Sequence, residues 1–281
     1  MGRSGVSGFL DEMKLASAQR VAKASAREDY AALERRALAQ APAPPLRLSR
    51  GGFDVIAEIK LRSPAAGVLG LASDNWMGRA AAYARAGAAA VSVLTEESRF
   101  DGSLQHLHDV ASLLAPLGIP AMRKDFLVDP YQVLEARACG AGGVLVILRM
   151  LPREGIAQLI DVAARVGMFV LLEAFDATDL AVAADIVALR TQAHAATVLI
   201  GLNCRDLQTL EVRRERFAEL AAHLPKGLPA VAESGVGAPA EALAVRKLGF
   251  GVALIGTALM ASSDPAAQLA DILNTARTGG P

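Results

Sequence analysis

Cysteine is almost missing from this chain: 281 residues carry two, Cys139 and Cys204. They form no CxxC pair, which excludes a cysteine-rich metal site and suits a reducing cytosol. Net charge is missing too. Twenty-nine Lys and Arg stand against twenty-nine Asp and Glu, so the charge balance calls for no nucleic-acid or anionic-membrane partner. No run of about 18 uncharged apolar residues occurs, so no membrane span is expected. The N-terminus lacks a secretory apolar region, and Val6 breaks the myristoylation pattern that Gly2 would begin. No Gly-x-Gly-x-x-Gly follows the first strand-like run, which weakens the case for an open, dinucleotide-binding sheet. A cytoplasmic protein with no membrane or nucleic-acid partner is the expectation.

What is present is apolar. Hydrophobic residues make up 53% and charged ones 21%, enough for a large core, and the length suits two average domains or one large α/β barrel. Residues 1–48 differ from the rest, being rich in Ala, Arg and Glu with helical spacing and ending in Ala-Pro-Ala-Pro-Pro at 41–45. They read as an N-terminal extension of one or two amphipathic helices, with Phe9, Leu10, Met13 and Leu15 set against Asp11, Glu12 and Lys14, available to cover something. Residues 49–281 read as one domain. From residue 53, β-rich runs at Phe53–Ile59, Ala90–Leu94, Ile119–Arg123, Gly143–Leu148, Met168–Glu173, Val198–Asn203, Ala230–Glu233 and Gly251–Ile255 alternate with helical ones near 74–87, 103–116, 130–139, 152–166, 176–188, 214–223, 238–248 and 264–276. Ser73-Asp74 and Asp129-Pro130 are helix start signals. Gly87, Gly140, Gly167 and Gly249 sit where a helix end wants a left-handed residue. Eight such pairs predict a closed (β/α)8 TIM barrel, α/β in class, preceded by the helical extension.

The first strand carries the first chemical signal. Successive strand side chains alternate between faces, so Glu58 and Lys60 point the same way, and Arg62 does too if the strand extends that far before Ser63-Pro64 ends it. This is either the mouth of a site or a strand end meeting solvent. In a barrel the site forms at the carboxyl ends of the strands. Those ends hold Glu58 and Lys60, Thr95-Glu96-Glu97, Arg123-Lys124-Asp125-Phe126, Glu173, Asn203 with Arg205, Glu233-Ser234-Gly235 and Gly256-Thr257, while the amino ends carry almost nothing of the kind. The last two loops are small and glycine-rich, which lets backbone N–H groups approach an anion, although tight turns alone would also use them. Lys124 and Glu173 stand on alternate strands and can face one space, as a general acid and base or as a structural ion pair. His106, His108, His194 and His223 read as surface or capping residues.

These residues resemble a known family. Val55-Ile-Ala-Glu-Ile-Lys-x-x-Ser-Pro64, Val93-Leu-Thr-Glu-Glu97, Arg123-Lys-Asp-Phe126, Asp129-Pro-Tyr-Gln132, Ile200-Gly-Leu-Asn-x-Arg-Asp-Leu207, Ala232-Glu-Ser-Gly235 and Leu254-Ile-Gly-Thr-Ala-Leu-Met260 are similar, in order, to motifs of the indole-3-glycerol-phosphate synthases of tryptophan biosynthesis. The similarity spans about residues 5–275. It implies ring closure, decarboxylation and dehydration of 1-(2-carboxyphenylamino)-1-deoxyribulose 5-phosphate, with no metal and no organic cofactor. By resemblance Lys124 is the general acid and Glu173 the base or charge partner. Glu58 serves proton transfer and Lys60 the phosphate. Asn203 and Ser63 hold the anthranilate carboxylate, and Phe126 and Leu145 wall its ring. Arg205 orders the site through Glu173; Ser234, Gly235, Gly256 and Thr257 form the phosphate cradle, and Leu254 is a further substrate-binding residue. Ala65, Cys204, the Leu171–Phe175 strand end and a longer 190–197 segment depart from the family pattern. A Schiff-base aldolase using Lys124, or a phosphate-binding barrel without catalysis, are the alternatives. A monomer or weak homo-oligomer is expected.

Overall fold

Why eight strands close here follows from their burial. The computed structural model describes residues 6–50, 52–63, 67–68, 75–188, 196–206 and 209–279, the side chains of 6, 7, 63 and 68 excepted. Strands β1 (Asp54–Ile59), β2 (Ala90–Leu94), β3 (Ala121–Lys124), β4 (Gly143–Ile147), β5 (Phe169–Ala174), β6 (Val198–Asn203), β7 (Ala230–Glu233) and β8 (Val252–Ile255) are all parallel. They run in sequence round a closed barrel. β1 closes it, pairing Asp54–Ala57 with Val252–Ile255 on one side and Ile56–Ile59 with Ala90–Val93 on the other. Nearly every strand position is buried, as a sheet covered on both faces requires.

Strand alternation divides the core in two. Ile56, Met122, Leu145, Leu171, Leu199, Val231 and Leu254 fill the barrel interior. Their neighbours Val55, Ala57, Val144, Val170, Leu172, Ile200 and Ala232 face outward and pack under the helices. Those helices are α3 (Trp76–Arg85), α5 (Leu104–Leu114), α6 (Pro130–Ala138), α7 (Arg153–Arg165), α8 (Ala177–Ala188), α9 (Glu215–Leu220), α10 (Pro239–Lys247) and α12 (Pro265–Thr278), with short α4 (Glu97–Phe100) and α11 (Thr257–Ala261) in the loops after β2 and β8.

Local signals fix the ends. Asp129 and Gln132 make a capping box with Pro130 at the first helical position of α6. The glycines after α3, α6, α7 and α10 all have φ between 71° and 97°, as expected. α3 is capped by Asn75, whose side chain accepts from the Gly78 N–H at 2.9 Å; Ser73 and Asp74 lie outside the described residues. The third strand starts two residues later than expected, because Pro120 has no N–H to give to the ladder and contributes only its carbonyl, to Val91. The first strand stops at Ile59, and Arg62–Ser63 pairs antiparallel with Gly67–Val68. Arg62 therefore leaves the inward row and reaches Asp101 at 3.6 Å, half exposed.

Two helices precede β1: α1 (Val6–Ser25) and α2 (Tyr30–Leu38). α2 packs on α6, and its Asp29 cap accepts from the Ala32 N–H at 2.8 Å. α1 sets Leu10 and Met13 among Phe126, Ile147, Met150 and Phe175 at the top of the interior. Among the described residues no helix is long and apolar enough to cross a membrane.

Candidate active site

The inward row of each strand changes character as it nears the carboxyl end. Ile56 is followed by Glu58 and Lys60, Met122 by Lys124, Leu171 by Glu173, Leu199 and Gly201 by Asn203, and Val231 by Glu233. Together these side chains form the floor of a cavity of about 500 Å³, a size suited to a small-molecule ligand. Every residue expected at the site lines it: Glu58, Lys60, Lys124, Phe126, Leu145, Glu173, Asn203, Arg205, Ser234, Gly235, Leu254, Gly256 and Thr257. The exception is Ser63, whose side chain lies outside the described residues, as do Ala65 and most of 190–197.

The charges on the floor are paired across strands. Glu58, 3% exposed, meets Lys60 Nζ at 2.7 Å and Lys124 Nζ at 3.7 Å. Burial alone raises the Glu58 carboxyl, but the two ammonium groups outweigh it and hold the group below the ordinary carboxylate range. Burial likewise pushes the Lys124 ammonium down, while Glu58, Glu173 and Glu233 together push it further up, so it stays protonated above an ordinary lysine. Glu173 does not touch Lys124 directly. Its Oε1 accepts from Asn203 Nδ2 at 2.6 Å, and Asn203 Oδ1 accepts from the Arg205 backbone N–H at 2.9 Å. The Arg205 guanidinium donates to the Leu210 carbonyl at 2.7 Å. Arg205 thus acts on Glu173 through the orientation of the Asn203 amide.

Glu233 belongs to this floor; the sequence placed it at a strand end but gave it no role. It is 1% exposed, and its Oε1 has no hydrogen-bond partner among the described residues. Burial, then the neighbouring Glu173, raise its carboxyl well above the ordinary range. Gly201 makes room for it: a Cβ there would lie 1.9 Å from Glu233 Oε1. The signal was available, since Val231 points inward and Glu233 stands two residues on.

The walls divide the cavity into two ends. Phe9 of α1 meets Phe126 edge-on with centroids 5.8 Å apart, and Phe100 tilts against the same ring at 6.1 Å. With Leu145, Ile147 and Phe175 they make an apolar slot. At the other end lie the small-residue loops after β7 and β8. Ser234 has φ 62° and Gly235 φ 75°, and a left-handed serine costs about 1–3 kcal/mol, strain spent on bending the chain over the cavity. Of the two thiols, Cys204 is buried and its pKa is pushed up to about 11 by burial, so it is no thiolate nucleophile. The His106 ring is half-buried on Trp76 at 4.9 Å, away from the cavity, and its helix is capped by Ser103.

Residues 10–272 match the family model of indole-3-glycerol phosphate synthase. The chain belongs to that family. Membership makes it a carboxy-lyase of tryptophan biosynthesis. It is 43% identical over 219 residues to the indole-3-glycerol phosphate synthase of Parafrankia sp. (strain EAN1pec), covering 78% of this chain and 77% of that one. It is 41% identical over 257 residues to the synthase of Mycobacterium avium (strain 104), with 90% of each chain covered. Among solved structures, 3-hexulose-6-phosphate synthase from Salmonella typhimurium superposes with a TM-score of 0.58 at 12% identity, over 80% of this chain and 98% of that one. Thiamine phosphate pyrophosphorylase from Pyrococcus furiosus gives 0.55 at 13%, over 80% and 95%. At that identity the likeness is of fold alone.

Proposed function

We propose that the chain converts 1-(2-carboxyphenylamino)-1-deoxyribulose 5-phosphate to indole-3-glycerol phosphate, carbon dioxide and water. The observation that carries this is a protonated Lys124 among Glu58, Glu173 and Glu233, beside an apolar slot and opposite two small-residue loops. The slot takes the anthranilate ring against Phe126 and Leu145, and Asn203 and Ser63 take its carboxylate. The loops of Ser234, Gly235, Gly256 and Thr257 take the phosphate. In the first step the ring carbon bearing the carboxylate attacks the ketone, and Lys124 gives its proton to the carbonyl oxygen. The iminium so formed accepts the electron pair released as carbon dioxide leaves. In the last step an acid protonates the departing hydroxyl while Glu173 removes a proton from the adjacent methylene, which completes the indole. Glu58 stays ionised and keeps both lysines charged. Exclusion of water by α1 and the loops strengthens each of these contacts.

The same geometry disfavours an aldolase. A Schiff base needs a neutral lysine amine, and the three carboxyl groups hold Lys124 protonated. Lys60, 2.7 Å from Glu58, shares its charge between that carboxylate and the incoming phosphate. No metal or organic cofactor is part of this reading. A cytoplasmic monomer or weak homo-oligomer is, supported as to location by thiols that stay unpaired.

Indole fluorescence in the presence of the carboxyphenylamino substrate tests the assignment. Lys124→Ala is expected to lower kcat by about 10²–10⁴-fold, the range of a positioned acid. Near-normal turnover by that variant, or a borohydride-trapped adduct on Lys124, would overturn it.

A further inference from the structure

The residue after Lys124 is bound from both sides of the active site. Asp125 is buried and accepts from four donors. Thr95 Oγ1 at the end of β2 lies 2.8 Å away, Arg123 Nη2 on β3 3.0 Å, and the Phe126 N–H 2.8 Å. The fourth is Arg20 Nη2, 2.6 Å from Oδ1, and it comes from α1. The other Arg20 nitrogen, Nη1, reaches Glu96 at 3.4 Å, the residue that caps α4. One turn earlier on the same helix, the buried Ser17 Oγ donates to the Phe126 carbonyl at 2.5 Å and accepts from Gln132 Nε2 at 2.8 Å. Gln132 Oε1 in turn accepts from the Val128 N–H at 2.8 Å. Leu10, Met13, Ser17 and Arg20 share one face of α1. That face begins as the apolar roof of the cavity and ends as a polar clamp on the segment that carries Lys124.

Asp125 has partners enough without the clamp. Without Arg20, Asp125 keeps Thr95, Arg123 and the Phe126 N–H, all within the barrel. What Arg20 adds is a tie between α1 and the segment 124–126, and its side chain is only 26% exposed, which limits screening by solvent. Charge-assisted bonds of this length fix geometry tightly.

We propose that Arg20 is a positioning residue: through Asp125 it sets where the Lys124 ammonium stands relative to the floor carboxylates, so that α1 forms part of the catalytic apparatus. The proposal rests on the reading of Lys124 as the general acid. The charged groups facing Lys124 are Glu58 on β1, Glu173 on β5, Glu233 on β7 and Arg205 after β6, with Lys60 on the far side of Glu58. If the segment slackens, Lys124 withdraws from the carboxylates and titrates closer to the ordinary lysine value of about 10.4.

The test uses the full chain with Arg20→Met, Arg20→Lys and Lys124→Ala, assayed by indole fluorescence across pH, with thermal unfolding as the check on folding. Arg20→Met is expected to fold, to lose about 10–100-fold in kcat, the scale of a small misplacement of a reacting group, and to change KM little. Its alkaline limb moves to lower pH, and Arg20→Lys recovers part of both effects. A variant that merely folds less well would lose amplitude with its limb unmoved, and that result overturns the proposal, as does wild-type kcat in Arg20→Met. The two readings separate cleanly. If Lys124→Ala turns over normally, the acid assignment fails; if it is inactive while Arg20→Met is wild-type, only the clamp fails.

Discussion

Glu233 shows how a single residue can be placed for chemistry against its own stability. Its carboxyl is held above the unfolded value by burial first and Glu173 second. Such a group binds its proton more tightly folded than unfolded. It therefore supports the fold below the unfolded value, about 4.3, and loses that contribution as pH rises through the folded value. Glutamine has the same shape and cannot ionise. Glu233→Gln is expected to unfold at a higher temperature than the parent at neutral pH, with the difference shrinking as pH falls towards 4, and to turn over substrate more slowly. Unfolding temperatures of the two proteins from pH 4 to 8 decide it: parallel curves would mean that Glu233 is ionised in the folded state. The same residue marks what sequence could and could not tell. Lys124 and Glu173 were visible because alternation along a strand puts them at the carboxyl end facing in, and Glu233 obeys the identical rule. The pairings were not visible. That Glu58 takes both Lys60 and Lys124, leaving Glu173 to Asn203, depends on inter-strand register, which no single segment encodes.

At the level of elements, the barrel strands were legible because each is a short apolar run between helix signals, buried on both faces. Less legible were α4 and α11, four and five residues long, too short for a period of 3.6 to show. The role of α1 was half legible: its amphipathic pattern called for a cover, but said nothing of how deeply Leu10 and Met13 would sit. Met13 is 3% exposed and sits with Leu10 in the interior cluster, so α1 is docked by the same core that fills the barrel. Met13→Ala is expected to cost about 2–5 kcal/mol, the range for truncating a buried side chain. Urea unfolding followed by far-UV circular dichroism measures it. A loss below about 1 kcal/mol, the size of a typical single substitution, would mean that the helix rests on the barrel without being part of its core. The tie from Arg20 and Ser17 to residues 125 and 126 makes that docking matter for turnover as well as for stability.

The molecule as a whole carries no net charge, so any attraction for an anionic substrate must come from how the charges are layered at one rim. The layering is by depth. Glu58, Glu173 and Glu233 lie deepest, between 1% and 3% exposed. Above them the Lys60 and Lys124 side chains are 13% and 21% exposed, and Arg214, at the edge of the same cavity, is 61% exposed. An approaching phosphate and carboxylate meet the cations first, while the carboxylates behind them keep the lysines charged. A field made this way is local and is screened as soon as the Debye length falls below the dimensions of the mouth. Raising the ionic strength from about 0.01 to 0.15 M shortens that length from about 30 to about 8 Å. Over this range kcat/KM is expected to fall while kcat holds, because the proton transfers take place on groups that solvent ions do not reach. Lys60→Ala should raise KM and flatten the salt dependence together, since it removes a cation of the outer layer. Steady-state kinetics at four or five salt concentrations test both statements. A kcat/KM indifferent to salt would mean that the substrate is drawn in by the apolar slot, leaving the rim cations only the task of holding it once bound.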